Sequence, residues 1–286
     1  MSHQPATPPS YLPILASVSM LIFAIGSVGW VQGKGYGLVT LILGVCALIL
    51  VCAQWFYRVV IDGQTFLANN AVFDRSLRIG VMWFIFTELM FFVGLFGVLF
   101  YIRVWALPVL SGQVGSKLMT HVLLWPDFIS NWPLLQTPDQ SLSQIEAIEP
   151  MGIPLLNTLI LLLSGLTITI SHFMVLKSQL KKSALWLAIT IFLGGSFLGL
   201  QLYEYVHAVS GGLKLGSGIY GSIFYLMTGF HGLHVFIGTL VLMVMWCRMF
   251  LGHFSAKEHF GFEAAIWYWH FVDVVWLMLF VFVYWI

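Results

Sequence analysis

Glu88, His231, His234, Glu263, His270 and Asp273 interrupt stretches of sequence that are otherwise almost wholly apolar. In a bilayer such groups cost about 2.5–3.5 kcal/mol each on an insertion scale, so they face protein or water and not lipid. Glu88 stands alone among Phe84, Phe86, Phe91 and Phe92. A carboxyl there would act as a proton relay or as a polar anchor for a cavity or partner. The plainer reading is a hydrogen bond to a neighbouring helix.

His231 and His234 occur in Thr-Gly-Phe-His-Gly-Leu-His, on one helical face, with Gly229 and Gly232 permitting close helix approach. Imidazoles inside a membrane suit axial haem ligation, in which His172 or His270 would supply the second ligand from a facing helix. Nothing in the spacing demands such ligation, and interhelical hydrogen bonding is the preferred reading. The segment from Phe260 to Trp276 places Glu263 and His270 seven residues apart and Asp273 three further on. A helix puts these three on roughly one face, expected to point at protein. The neighbouring Trp267, Tyr268, Trp269 and Trp276 read as membrane belt and packing material. Arg248, His253, Lys257 and His259 gather just before that segment, as a site for anionic lipid head groups or as ordinary membrane-flanking charge.

Other chemistries lack their residues. Cys46, Cys52 and Cys247 sit in apolar runs as buried thiols, with no zinc, iron–sulfur or disulfide spacing. No nucleophile elbow or phosphate loop occurs. A net charge of +1 leaves no basic stripe for nucleic acid. The chain alone does not read as a catalyst.

The elements that must hold these groups are membrane spans. Of 286 residues, 60% are hydrophobic and 8% charged, against roughly 25% charged in a soluble domain. Mean hydropathy is +0.95. Apolar runs of about 20 residues predict seven helices at 11–31, 36–57, 79–102, 152–176, 183–203, 215–247 and 264–286. The sixth is long enough to imply tilt or an interfacial turn. The first ten residues hold three prolines and no Lys or Arg, so they do not read as a secretory signal. The predicted organisation is a two-helix bundle at 1–57, a cytoplasmic connecting segment at 58–78, and a five-helix bundle at 79–286 with an interfacial external loop at 103–150.

An inner N-terminus puts Arg58, Arg75, Arg78, Lys177, Lys181, Lys182, Arg248 and Lys257 on the cytoplasmic side. It leaves Lys34, Arg103, Lys117 and Lys214 outside. The positive-inside rule therefore predicts N-in, C-out.

Several blocks now carry a resemblance. They are Ser76-Leu-Arg-Ile-Gly-Val-Met-Trp-Phe-Ile-Phe-Thr-Glu88, Pro154-Leu-Leu-Asn-Thr158, Tyr220-Gly-Ser and Thr228-Gly-Phe-His-Gly-Leu-His-Val235. His259-Phe-Gly-Phe-Glu-Ala follows, continued by Trp267-Tyr-Trp-His-Phe-Val-Asp-Val-Val-Trp276. Together they resemble cytochrome c oxidase subunit III, of the haem-copper oxidases. The resemblance implies an all-α membrane protein of seven helices, with two-helix and five-helix bundles separated by a V-shaped cleft that holds phospholipid.

It also implies a chain with no haem or copper of its own. Subunits I and II would carry those groups, and cytochrome c would be the electron donor to the complex. The chain would flank subunit I, support proton uptake and dioxygen access, and protect the core during turnover. The resemblance makes Glu88 the family's buried carboxylate. Arg248, His253, Trp55 and Arg58 become lipid contacts, and His231, His234, Glu263, His270 and Asp273 interhelical polar groups.

Two features depart from the family pattern. Asp62-Gly63 and Asn69-Asn70-Ala71 stand where the family usually has an Arg-Glu pair and His-His-Thr. The 103–149 loop is longer than the compact mitochondrial kind, which favours a bacterial inner membrane. Quinol oxidases are near relatives, but their equivalents tend to lack the first two helices. A haem-binding membrane cytochrome and a proton-coupled transporter are the readings from residue physics alone.

Overall fold

The computed structural model describes residues 10–66, 71–113, 118–135 and 147–285, and all regular structure among them is helical. Seven helices are long and apolar enough to cross a membrane. They are α1 (Leu12–Val31), α2 (Gly37–Phe66), α3 (Ala71–Tyr101), α6 (Ile153–Leu176), α7 (Leu180–Ser210), α8 (Ile219–Phe250) and α9 (Phe260–Leu279). Helix α3 continues through a π-helical turn, Ile102–Ala106, into the short α4 (Leu107–Leu110). Helix α5 (Leu118–Leu124) follows, and α9 ends in a second π-helical segment, Phe280–Trp285. The chain forms two compact units, one ending at Phe73 and the other beginning at Asp74.

In the first unit, α1 and α2 pack as a hairpin. Pro13 starts α1, where a missing N–H is harmless. Gly33, at φ +69°, ends it by taking the left-handed conformation that a side chain disfavours. The two backbones then meet at glycines. A Cβ on Gly26 would strike the backbone of Thr40 and Leu41, one on Gly37 that of Gly29 and Trp30, and one on Gly44 that of Phe23. Lipid tails are as apolar as any side chain, so close backbone approach supplies the attraction here.

The second unit is organised around α9, whose Trp269 and Trp276 are fully buried. Trp269 fills space left by Gly194 of α7 and Gly238 of α8. Its indole N–H donates to Ser164 Oγ, and that of Trp276 to Thr158 Oγ1, both at 2.9 Å. Helices α6 and α7 are joined by the Thr167–Thr190 pair at 2.8 Å and the Ser171–Ser183 pair at 2.9 Å. Helix α3 reaches its neighbours through long side chains, with Phe91 against Phe230 and Phe92 against Phe271. A satellite cluster of Leu107, Phe128 and Leu134 packs the start of the segment after α4.

The segment at 58–78, expected to connect the bundles, is in part helical, since α2 runs on to Phe66 and α3 begins at Ala71. Polarity marks where a helix leaves hydrocarbon and not where its hydrogen-bond ladder stops. The sixth span is not exceptional, since α2, α3, α7 and α8 are 30, 31, 31 and 32 residues long. At 1.5 Å per residue each is about 45–48 Å long and exceeds the ~30 Å hydrocarbon core. The cysteines are free but exposed on the protein surface, because apolar surface in a membrane faces outward as readily as inward. Asn69, Asn70 and Lys117 lie outside the described residues.

Candidate functional site

Glu88 lies midway along α3 and His234 midway along α8. The Glu88 Oε2 to His234 Nε2 distance is 2.9 Å. Phe92 meets the imidazole edge-on at 5.1 Å between ring centroids, while Phe91 and Tyr268 stack at 6.3 and 6.4 Å. The side chains of Glu88 and His234 are 25% and 12% exposed, so the pair sits at the edge of the protein interior.

The other imidazole nitrogen decides what this contact can be. His234 Nδ1 lies 2.7 Å from the carbonyl of Phe230, an acceptor only, so Nδ1 carries hydrogen and donates. Nε2 then has two options. Neutral histidine accepts a hydrogen bond from a protonated Glu88, and imidazolium donates one to its carboxylate. In both cases one proton is held between the two groups. A carboxyl and an imidazole sharing a proton in an apolar wall can store or pass that proton without leaving a bare charge in hydrocarbon.

A second polar group lies along α3. Arg78 Nε donates to Asp74 Oδ2 and Nη1 donates to Glu263 Oε2, both at 2.8 Å. The guanidinium also lies over the Phe260 ring, 4.8 Å from its centroid. Arg78 reads from sequence only as flanking charge, yet its fork ties the start of α3 to the start of α9. The available signal was depth: Arg78 and Glu263 fall at the same end of their predicted spans, and Glu88 and His234 both fall mid-span.

The other predicted groups separate. Glu263 turns to α3, whereas His270 and Asp273 turn to α6. His270 Nε2 lies 3.3 Å from Thr169 Oγ1, whose hydroxyl donates to Gly165 O, so the imidazole is the donor. Its Nδ1 faces Asp273 Oδ2 at 3.6 Å. Asp273 is buried against Gly165, where a Cβ would come within 2.7 Å of its carboxyl. The shared face points only partly at this chain, since the His270 side chain is 44% exposed.

His231 is fully buried and does not share the site of His234. Phe197 meets its ring edge-on at 5.7 Å and Trp276 lies against it at 5.1 Å, leaving no face for a macrocycle. His172 lies near His259, 5.4 Å between ring centroids. Among the described residues, no group of three or more His, Cys, Asp or Glu side chains comes together to hold a metal ion.

Arg248, at the end of α8, lies over the Phe254 ring at 4.7 Å, with Nη1 3.7 Å from Met245 Sδ. It is half-buried, as is His253. Gly261 passes close enough that a Cβ would come within 3.0 Å of Arg248 Nη1. In the first unit, Trp55 and Arg58 are exposed one turn apart on α2.

Comparison with known proteins agrees with this architecture. The family model for Cytochrome c oxidase subunit III matches residues 6–117 and 132–286. Cytochrome c oxidase subunit 3 of Osphranter robustus is 37% identical over 277 residues, covering 97% of this chain and 94% of the relative. The subunits 3 of Lycodon semicarinatus and Marchantia polymorpha are each 38% identical over 278 residues, with the same coverage. A likeness that spans both helical units at this identity leaves one conclusion. This chain belongs to the cytochrome c oxidase subunit III family and is a multi-pass membrane subunit of that complex.

Proposed function

We propose that the chain serves the oxidase as a non-redox subunit that supports proton uptake and dioxygen access, while partner subunits I and II carry the haems and copper. It flanks subunit I in a bacterial inner membrane, N-terminus cytoplasmic and C-terminus periplasmic, in a complex that pumps protons and reduces dioxygen with electrons from cytochrome c. The observation that carries the proton role is the 2.9 Å approach of Glu88 Oε2 to His234 Nε2 within an aromatic wall. The Arg-rich cytoplasmic ends of the spans support the orientation. The two N-terminal helices favour a cytochrome c oxidase over the related quinol oxidases.

Phospholipid head groups are the ligands assigned to Arg248, His253, Trp55 and Arg58. Arg248 and His253 each carry a buried guanidinium or ring nitrogen without a hydrogen-bond partner among the described residues, which suits an anionic oxygen. His231, Glu263, His270 and Asp273 hold helices together and take no part in electron transfer.

The test is Glu88→Gln in the assembled oxidase. Glutamine keeps the shape and one hydrogen bond to His234 but holds no exchangeable acid proton. Assembly is expected to be normal, with altered steady-state turnover or faster inactivation during prolonged turnover. Unchanged rates together with unchanged inactivation would remove the proton role and leave Glu88 as an interhelical contact.

A further inference from the structure

The His270 side chain is 44% exposed, and its place along α9 puts that exposure deep in the membrane. From Phe260 to His270 the helix rises about 15 Å, half of a ~30 Å hydrocarbon core. A phospholipid keeps its polar atoms at the membrane surface, so at this depth lipid offers only hydrocarbon. An ionisable group in that position faces protein or water.

The chain's own groups hold this ring loosely. Nε2 lies 3.3 Å from Thr169 Oγ1 and Nδ1 3.6 Å from Asp273 Oδ2, both longer than the ~2.7–3.2 Å of a well-formed hydrogen bond. His234, only 12% exposed, has its two partners at 2.7 and 2.9 Å. The polar spot at His270 is set in an apolar face. On α6, Leu162 and Leu166 are exposed, and Thr169 follows three residues later on the same side. On α9, Val274, one turn after His270, is 55% exposed. The contact of Thr169 with His270 joins the two stripes into one face.

We propose that this face of α6 and α9 docks a transmembrane helix of another oxidase subunit, one that sets a hydrogen-bonding side chain against the His270 imidazole. Leu162, Leu166 and Val274 supply the packing around that contact. Two requirements select the occupant. It must satisfy its own backbone within hydrocarbon, as a helix does, and it must bring a polar atom to mid-membrane depth, as lipid does not. The inference rests on the reading that the chain flanks a larger membrane subunit. It is independent of the proton role of Glu88, because the two sites share no residue.

The test places a photoreactive benzoylphenylalanine at Val274 in the intact oxidase. Illumination is expected to join this chain to a membrane span of another oxidase subunit. Met278, exposed one turn further on, takes the label if the first position disturbs assembly. His270→Leu should release the chain in detergent several-fold more readily than the unaltered subunit, whereas His270→Gln, which still forms hydrogen bonds, should stay closer to it. Labelling of lipid alone overturns the proposal, as does a cross-link only to residues 10–66 of this chain or to a second copy. Equal release of the leucine variant and the unaltered subunit overturns it too. If the leucine variant fails to fold, the cross-link decides alone. An unaltered chain that purifies free of every other subunit overturns the underlying reading as well.

Discussion

The unit of α1 and α2 and the unit built on α9 solve one problem in different ways. Both must hold helices together where the surrounding solvent is itself apolar. The first does so with glycines: Gly26, Gly37 and Gly44 bring two backbones into contact, and its side-chain hydroxyls bond back within their own helices. The second does so with polar side chains that cross between helices, from Trp269–Ser164 and Thr167–Thr190 to Arg78–Glu263 and Glu88–His234. A glycine contact needs no chemistry and offers none. A lattice of hydroxyls, indoles and carboxyls leaves places where a proton or a water can be held. The candidate site of this chain that involves proton exchange, Glu88 with His234, therefore lies in the second unit.

The largest effect expected is from Trp269→Ala. It opens a cavity beside Gly194 and Gly238 and removes the indole hydrogen bond to Ser164 Oγ, at a cost of about 3–5 kcal/mol. The subunit should then be lost from the purified complex, while Trp269→Phe should be partly retained. Retention of the alanine variant at normal yield would mean that the second unit does not depend on α9 as its centre.

Next comes Gly26→Leu, which forces α1 away from the α2 backbone and should cost about 1–3 kcal/mol. Thermal unfolding of the complex reads the loss, with Gly80→Leu as control, since a Cβ there meets nothing within 4 Å. Equal melting of the two variants would undo the claim that the first unit is held by glycine contacts.

A smaller change is expected for Ser171→Ala. Interhelical hydrogen bonds in membranes average about 0.6 kcal/mol and reach about 1.7. Ser183 Oγ keeps its bond to the backbone carbonyl of residue 171, so a value near that average is expected from a denaturation series. The smallest is Arg78→Lys. Lysine keeps the charge but cannot fork between Asp74 and Glu263, and partly exposed pairs contribute only about 0–1 kcal/mol. That difference should shrink further in high salt. A salt-independent loss would show that the pair is less exposed than its geometry indicates.

Much of the architecture was legible before folding. The apolar runs around Ser19, Cys46 and Leu161 announce spans because a backbone in hydrocarbon must satisfy its own hydrogen bonds, and a helix does so locally. Gly33 and Gly252, both left-handed, stop α1 and α8 for equally local reasons. Helices α2 and α3 run past their apolar stretches into 58–78, because hydropathy reports the bilayer and not the helix.

Pairing was harder to read. Glu88, His234, Glu263 and Arg78 were all conspicuous as ionisable groups in or beside apolar runs, but nothing in their spacing said which would meet. His231 and His234, three residues apart, ended in different surroundings, one sealed between Phe197 and Trp276 and the other facing Glu88. Glu204 reads from sequence only as the residue that follows the fifth span, and the structure buries it.

By itself, then, the sequence determined that this is a seven-span helical membrane protein, where its polar groups fall along each span, and which family it resembles. Those properties depend on residues close together in the chain and on their transfer from water to hydrocarbon. Only the tertiary structure decided that Glu88 meets His234 and that Arg78 joins α3 to α9. These depend on the rotation and depth of one helix against another, which packing of distant side chains sets and local patterning does not.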